Sequence, residues 1–361
     1  MATISSRNGP ADPKGERVPW SRRRFVAQGA VTLAIAPVLA RALAGPPPAE
    51  SPPGLSATNV SSGAATDAGS GAVQSVGATD DRLTTIVSIN GAGPYRFLVD
   101  TGAERSLMAA EIATQLALPR GQAVMIEGIL RGQRGEFVEI ASLRMGSLVC
   151  QALEVPVLPR AMLGVDGFLG LDVLDSHRVV FDFGADTLSV TRRQGFFAAW
   201  WEGRDETIVH TLGSSGRLRA THCIVNGVRA AAFVDTGAEV SVSNPALYAA
   251  LQQKASNLQL IGGPVVLSGV TGGTVEGLAI NVNNIDLDEL HLSFTPLVVA
   301  PLEVFDVWGL KDQPAVFFGM DCLRRFRKVT IDYGRKELRF QVASTMMPQP
   351  LQAALSSPIA G

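Results

Sequence analysis

From residue 81 to residue 343 the apolar positions fall in short runs punctuated by Gly, Asn, Asp and Pro. Such runs predict strands joined by tight turns rather than long helices. Thr85-Ile86-Val87-Ser88-Ile89 is rich in β-forming residues, stops at Asn90-Gly91, and is answered by Phe97-Leu98-Val99. An Asn-Gly pair between two such runs is a strong hairpin signal, because both residues tolerate the left-handed backbone of a two-residue turn. The same order returns at His222-Cys223-Ile224-Val225, Asn226-Gly227 and Ala232-Phe233-Val234.

The residues after each second run are repeated as well. Asp100-Thr101-Gly102-Ala103-Glu104-Arg105-Ser106 matches Asp235-Thr236-Gly237-Ala238-Glu239-Val240-Ser241. Farther on, Phe168-Leu169-Gly170-Leu171-Asp172 matches Phe317-Phe318-Gly319-Met320-Asp321, and Val179-Val180-Phe181-Asp182-Phe183-Gly184 matches Val329-Thr330-Ile331-Asp332-Tyr333-Gly334. Three landmarks in the same order, twice, describe an internal duplication. The step from the first landmark to the second is 70 residues in one half and 84 in the other. The extra length falls in mid-lobe, where loops take insertions. The expected architecture is therefore mostly β, with two homologous lobes, 81–195 and 216–343. A pseudo-twofold axis relates them, a cleft lies between them, and 196–215 joins them. Helix is expected in short pieces only, at 109–116 and 245–252 after each elbow and at 172–175 and 321–325 after each Gly. Asp172 and Asp321 are expected to N-cap the last two.

The 361 residues are 46% hydrophobic and 18% charged, ample for a sizeable core. The ends read differently. Residues 45–80 are rich in Pro, Ala, Gly and Ser and predict a flexible linker; 344–361 predicts a frayed tail. In residues 1–44, Ser21-Arg22-Arg23-Arg24-Phe25-Val26 precedes a modest apolar run to Leu39, and Ala42-Leu43-Ala44 offers a small-residue cleavage site. Basic, apolar and small segments in that order form a signal peptide. The paired arginines before x-Phe resemble the twin-arginine export signal, which implies a periplasmic or secreted product that crosses the membrane folded. The run is shorter than the roughly 20 residues of a spanning helix, so no membrane anchor is expected after cleavage. Without residues 1–44 the chain carries 24 basic and 31 acidic residues, a net −7. That balance supplies no electrostatic reason to bind nucleic acid. Cys150, Cys223 and Cys322 match no metal ribbon or redox pair, and the four histidines lack ligand spacing. No metal and no cofactor is expected. No GxSxG elbow occurs, and Gly91-Ala92-Gly93-Pro94 lacks the rest of a dinucleotide loop.

The chemistry sits at the repeated elbow. One Asp from each lobe, meeting at a pseudo-dyad, gives two carboxylates too close to ionise together. Gly102 and Gly237 allow a close backbone approach, and their N–H groups can donate to the carboxylates. Asp-Thr-Gly-Ala behind an apolar run, a hydroxyl residue three further on, and the downstream apolar-apolar-Gly resemble the retroviral-type aspartic protease family. The likeness covers nearly all of 81–343, twice over. It implies two fused lobes in the arrangement of pepsin, working as a monomeric endopeptidase on an extended protein or peptide substrate. It also implies Asp100 and Asp235 as the catalytic pair, with Thr101, Gly102, Ala103, Thr236, Gly237 and Ala238 forming the supporting loops and the two threonines gripping across the lobes.

Some positions depart from that family. Its Arg after the downstream Gly is Leu171 here and Met320 in the repeat, so Glu104 and Glu239 need other partners. The flap candidates, 126–137 and 267–275, hold Gly128, Gly132, Gly135, Gly269, Gly272 and Gly273 but no Tyr or Trp. One flap or two is left open. Ala103 and Ala238 stand where Ser or Thr could lower a carboxylate's pKa, so an optimum less acid than pepsin's is expected. The alternative is a non-catalytic peptide-binding protein of the same fold in the cell envelope.

Overall fold

The computed structural model describes residues 24–26, 32–34, 72–73, 75–79, 82–192, 206–214, 217–254 and 258–342. The expected cleavage site, most of the linker, Trp200, Trp201 and the tail lie outside them. Four short strands come first: β1 (Arg24–Val26), β2 (Thr32–Ala34), β3 (Ala72–Val73) and β4 (Ser75–Thr79). The first lobe opens with β5 (Arg82–Ile89), β6 (Ala92–Val99), β7 (Leu107–Ala109) and α1 (Ala110–Gln115). It continues through β8 (Arg120–Glu127), β9 (Gly132–Met145), β10 (Leu148–Leu158) and α2 (Arg160–Leu163). It closes with β11 (Gly167–Leu169), α3 (Leu171–Leu174), β12 (His177–Asp182) and β13 (Thr187–Arg192).

The second lobe repeats the series. β14 (Glu206–Ser214), β15 (Arg217–Ala220), β16 (Ile224–Val225), β17 (Val228–Arg229) and β18 (Ala231–Val234) lead to β19 (Val242–Ser243) and α4 (Pro245–Lys254). Then come β20 (Gln259–Ser268), β21 (Thr274–Leu287), β22 (Leu290–Val299), α5 (Glu303–Val307), β23 (Ala315–Phe318), α6 (Met320–Leu323), β24 (Phe326–Asp332) and β25 (Glu337–Val342). Both Asn-Gly pairs turn with positive φ, at 51° and 81° for Asn90-Gly91 and at 43° and 78° for Asn226-Gly227. The backbone thus takes the turn that the dipeptide favours.

The pairings repeat as well. β11 lies parallel to β6 and antiparallel to β7, while β23 lies parallel to β18 and antiparallel to β19. β10 is parallel to β7, as β22 is to β19. Each elbow thus leaves a strand held on one side by a neighbour that is buried throughout: Gly167, Phe168 and Leu169 in one lobe, and Ala315 to Phe318 in the other. The lobes are joined by a six-stranded sheet in the order β3-β13-β12-β24-β25-β14. Its centre is the antiparallel pair β12 and β24, where Val180 faces Thr330 and two residue pairs lie on either side.

Two expectations change. The linker and the inter-lobe connection both end in strands, and those strands are counterparts: β3 pairs β13 as β14 pairs β25. The repeat therefore starts earlier in each half than residues 81 and 216. Edge strands need only backbone hydrogen bonds, so a stretch poor in large side chains can still pair. Asp172 and Asp321 are not N-caps; Gly170 and Gly319 hold those positions, without side-chain caps. The helices α2 and α5 were not foreseen.

Phe181 is fully buried in the central pair and stacks near Phe183, with ring centroids 6.3 Å apart. Phe181→Ala is expected to cost about 3–5 kcal/mol, the usual toll of an emptied aromatic site. Urea unfolding measures it, and a loss under about 1 kcal/mol would mean that this sheet does not hold the lobes.

Candidate functional site

Each elbow starts where a buried strand ends. β6 delivers Asp100, whose N–H donates to Leu169 O on β11 at 3.0 Å. β18 delivers Asp235, whose N–H donates to Phe318 O on β23 at the same 3.0 Å. Asp100 is 0% exposed and Asp235 5%. Asp100 Oδ1 accepts from the N–H of Gly102 at 2.9 Å and of Ala103 at 3.0 Å, and Asp235 Oδ1 accepts from Gly237 at 2.9 Å. The two carboxyl groups lie close enough that each acts on the other's titration, while Asp100 Oδ2 is buried without a hydrogen-bond partner. Gly237 makes that approach possible, since a Cβ there would stand 2.5 Å from the Asp100 carboxyl carbon.

The threonines cross between the lobes. The Thr101 N–H donates to Thr236 Oγ1 at 3.1 Å, and the Thr236 N–H to Thr101 Oγ1 at 3.1 Å. The hydroxyls then donate onward, Thr101 to Val234 O at 3.3 Å and Thr236 to Val99 O at 2.7 Å. Each of these buried donors is thereby met by a group of the other lobe, as a low-dielectric setting demands.

A second layer braces each elbow. Ser106 Oγ donates to Asp172 Oδ1 at 2.7 Å and accepts from the Gly170 N–H at 3.0 Å. Ser241 Oγ donates to Asp321 Oδ1 at 2.7 Å and accepts from the Gly319 N–H at 3.1 Å. These aspartates lie one residue inside their helices and reach back to the elbow, and Asp321 Oδ1 also accepts from the Cys322 N–H at 2.7 Å.

Burial raises both central carboxyls above the ordinary range. For Asp100 desolvation leads and the neighbouring Asp235 charge adds to it, against the Gly102 and Ala103 N–H groups. Asp235 is raised to about 6 by burial, held back by Gly237, by the Asp100 carboxyl and by the Arg217 charge. A pair in this state keeps one proton toward neutral pH. Arg217 favours charge on Asp235, and the two titrations belong to the pair.

Arg217 was missed in the sequence, where it lies beside a loop. It pairs with Glu104 of the other lobe, and its guanidinium lies 4.9 Å from the Trp308 ring centroid. Trp308 in turn meets Phe233 at 5.0 Å. Arg217 thus supplies Glu104 with a partner in place of the family's Arg at 171. Tyr333 also went unnoticed. It is 8% exposed and feels the charges of Asp100, Asp175 and Asp235, which add to burial in raising its phenol.

Each lobe sends out one long hairpin, β8–β9 with its tip at 128–131 and β20–β21 with its tip at 269–273. The Gly128 N–H closes the first tip on Arg131 O at 3.0 Å, and the Gly272 N–H closes the second on Gly269 O at 2.8 Å. The tips touch. Arg131 Nε donates to Thr271 O at 3.1 Å, and the space a Gly128 side chain would fill holds the Thr271 side chain. Ile129, 1% exposed, packs with Leu302, Val304 and Phe305 of the second lobe and shares an apolar cluster with Ala238. Gly132 sits against Glu127 and Met125, Gly135 against Ile126, Gly269 against Ile129, and Gly273 against Arg131 and Leu130. Among the described residues no group of His, Cys, Asp and Glu could hold a metal ion, and no helix is long and apolar enough to cross a membrane.

Comparison with protein families agrees with this duplication. Residues 85–176 match the gag-polyprotein putative aspartyl protease family. Residues 221–322 match the aspartyl protease family. No curated protein matches the chain.

Two outcomes are expected from the buried pair and its grip. Thr236→Val leaves the Thr101 N–H and Val99 O without a partner, so a loss of about 1–3 kcal/mol is expected in urea unfolding; a neutral result would remove the grip from the fold's supports. The carboxyls titrate above their unfolded value, so the unfolded chain gives up its protons first as pH rises. Stability therefore falls from about pH 4 through about 6. Asp235→Asn should melt higher than the parent at pH 7, with the gap closing toward pH 4. Equal melting temperatures at pH 7 would show that the pair carries no strain.

Proposed function

We propose, from two aspartyl protease domains in tandem, that this chain is an endopeptidase that hydrolyses peptide bonds with water activated between Asp100 and Asp235. The observation that carries the reading is the approach of two buried carboxyls, one per lobe, across the threonine grip. In the proposed reaction ionised Asp235 takes a proton from water as its oxygen adds to the scissile carbonyl carbon. Protonated Asp100 hydrogen-bonds the carbonyl oxygen and stabilises the charge that develops there. A proton then passes to the amide nitrogen, the C–N bond breaks, and an acid and an amine leave. Thr101 and Thr236 hold the geometry. Burial keeps competing water away from the carboxyls and holds the shared proton.

The substrate class is an extended peptide, which strand edges such as the outer edges of β8 and β20 suit. The flap reading of Gly128, Gly132, Gly269 and Gly272 belongs to the same proposal, with two flaps rather than one. Export by the twin-arginine route rests on Ser21-Arg22-Arg23-Arg24-Phe25 and the small residues at 42–44. A monomer suffices, since each lobe supplies one carboxyl.

Incubation with a diverse peptide mixture from pH 3 to 8, read by mass spectrometry, tests the activity. Cleavage by the parent and none by Asp235→Asn is expected. Equal cleavage by both would sink the two-carboxyl site, and peptide binding without turnover would favour the envelope binding-protein reading. The acid limb of kcat/KM should have its midpoint near 6, the value to which Asp235 is raised. Arg217→Gln removes a positive charge that favours ionised Asp235, so this midpoint should move upward. A midpoint that moves down or stays in place would separate Arg217 from the pair.

A further inference from the structure

β15 and β18 set a group of side chains beside the second elbow. The two strands pair antiparallel, with Arg219 opposite Phe233. Continuing that register by two residues puts Arg217 across from Asp235, on the face from which Phe233 also projects. The Arg217 guanidinium lies 4.9 Å from the Trp308 ring centroid, and that ring lies 5.0 Å from the Phe233 ring. Trp308 takes the C-cap position of α5. α2, the corresponding helix of the first lobe, ends on Gly164, where an added Cβ would meet nothing within 4 Å. The indole therefore has no counterpart across the pseudo-twofold axis.

Two N–H groups of this cluster are unmet. Arg217 Nε and Trp308 Nε1 are both buried and have no hydrogen-bond partner among the described residues. A buried donor is costly to leave so, and one that persists calls for an acceptor from outside the fold. The surrounding charge says which kind. Arg217 is already ion-paired with Glu104, and its charge also acts on Asp235. A carboxylate entering here would add a third negative group around one guanidinium. An aliphatic side chain would leave both donors unmet. A neutral carboxamide does neither. Its oxygen accepts, and its NH2 group can donate to Glu104, which is 27% exposed and, when ionised, has about four acceptor sites. The half-buried rings of Phe233 and Trp308 suit the methylenes that carry the amide.

We propose that Arg217, Trp308 and Phe233 form a specificity site for an Asn or Gln side chain of the bound peptide, beside Asp235. This rests on the peptidase reading for the cleavage that the site directs; binding of the carboxamide stands on the two donors and the two rings. Selection here is by hydrogen bonding. A site with buried donors rejects a side chain of similar shape that lacks the acceptor more strongly than an apolar pocket separates two hydrocarbons. Met loses to Gln through the unmet N–H groups, and Glu loses through its charge. Arg217 then has two tasks, biasing the carboxyl pair and reading the substrate, so the preferred side chain lies on the side of the pair where charge is favoured.

The test has a binding arm and a cleavage arm, both on the full chain. For binding, blocked alanine-rich peptides carrying a single Gln, Met or Glu are titrated into the Asp100→Asn chain, which keeps Asp235 and should not cleave them. The readout is the indole N–H signal of Trp308 in isotope-labelled protein, assigned by its loss in Trp308→Phe. The Gln peptide should move that signal and half-saturate at about a tenth of the concentration that the Met or Glu peptide needs at pH 7. At about pH 4, where Glu is largely protonated, the Glu peptide should approach the Gln peptide. For cleavage, the parent's cut sites should be enriched in Asn or Gln at one position. Trp308→Phe should lower the kcat/KM ratio of Gln to Met peptides about tenfold. Equal half-saturation by all three peptides, or an indole signal that none of them moves, would overturn the proposal whether or not the chain cleaves. So would a Gln-to-Met ratio that Trp308→Phe leaves in place. Gln-selective movement of the indole with no cleavage by the parent would support the site and count against the peptidase reading alone.

Discussion

Two carboxyl groups buried side by side are costly, and the protein is organised around bearing that cost. An acid withdrawn from water resists ionisation, and a second one beside it adds repulsion. The fold answers with fixed dipoles. Asp100 receives two backbone N–H groups and Asp235 one, all from the turn after each aspartate. Those turns stay in place because the threonines meet across the lobes and because Ser106 and Ser241 are pinned to Asp172 and Asp321. A single lobe could not do this, since every hydrogen bond of the threonine grip has its other end in the opposite lobe.

The symmetry is close but broken where it bears on charge. Arg217 favours ionised Asp235, and its own contacts run to Glu104 of the first lobe and Trp308 of the second. One charge placed on one side makes the two carboxyls unequal. The hairpins are asymmetric too. Ile129 of the first hairpin enters the apolar cluster that includes Val304 and Phe305, and the Arg131 guanidinium fixes the second tip from the first.

Much of this was legible in the sequence because duplication doubles every signal. The Asn-Gly turns, the elbows and the apolar-apolar-Gly strands are local motifs, and each was seen twice. The mostly β, two-lobe fold was expected from them and agrees with the structure and the family matches. The residues that escaped are those whose partners lie far along the chain. Glu104 and Arg217 are 113 residues apart, and Arg131 and Thr271 are 140 apart. No local pattern announces such pairs. Asp172 and Asp321 were misread for the same reason. An Asp beside a helix start suggests a cap, while its actual donor sits 66 or 80 residues away. The early strands β3 and β14 were hidden differently, because pairing at a sheet edge asks little of side chains.

A near-twofold site poses a problem that a single lobe does not. In the peptidase reading the substrate has a direction, and the site barely does. The peptide must meet a protonated acid at one end of the scissile bond and an ionised base near the other, so binding in reverse would present the groups in exchanged order. In that reading Arg217 favours charge on Asp235 rather than on its counterpart, while the strand edges follow the pseudo-twofold axis. The strand senses obey the twofold axis for a peptide bound either way round, so in the peptidase reading the charge beside Asp235 is the break of symmetry on which a productive direction rests.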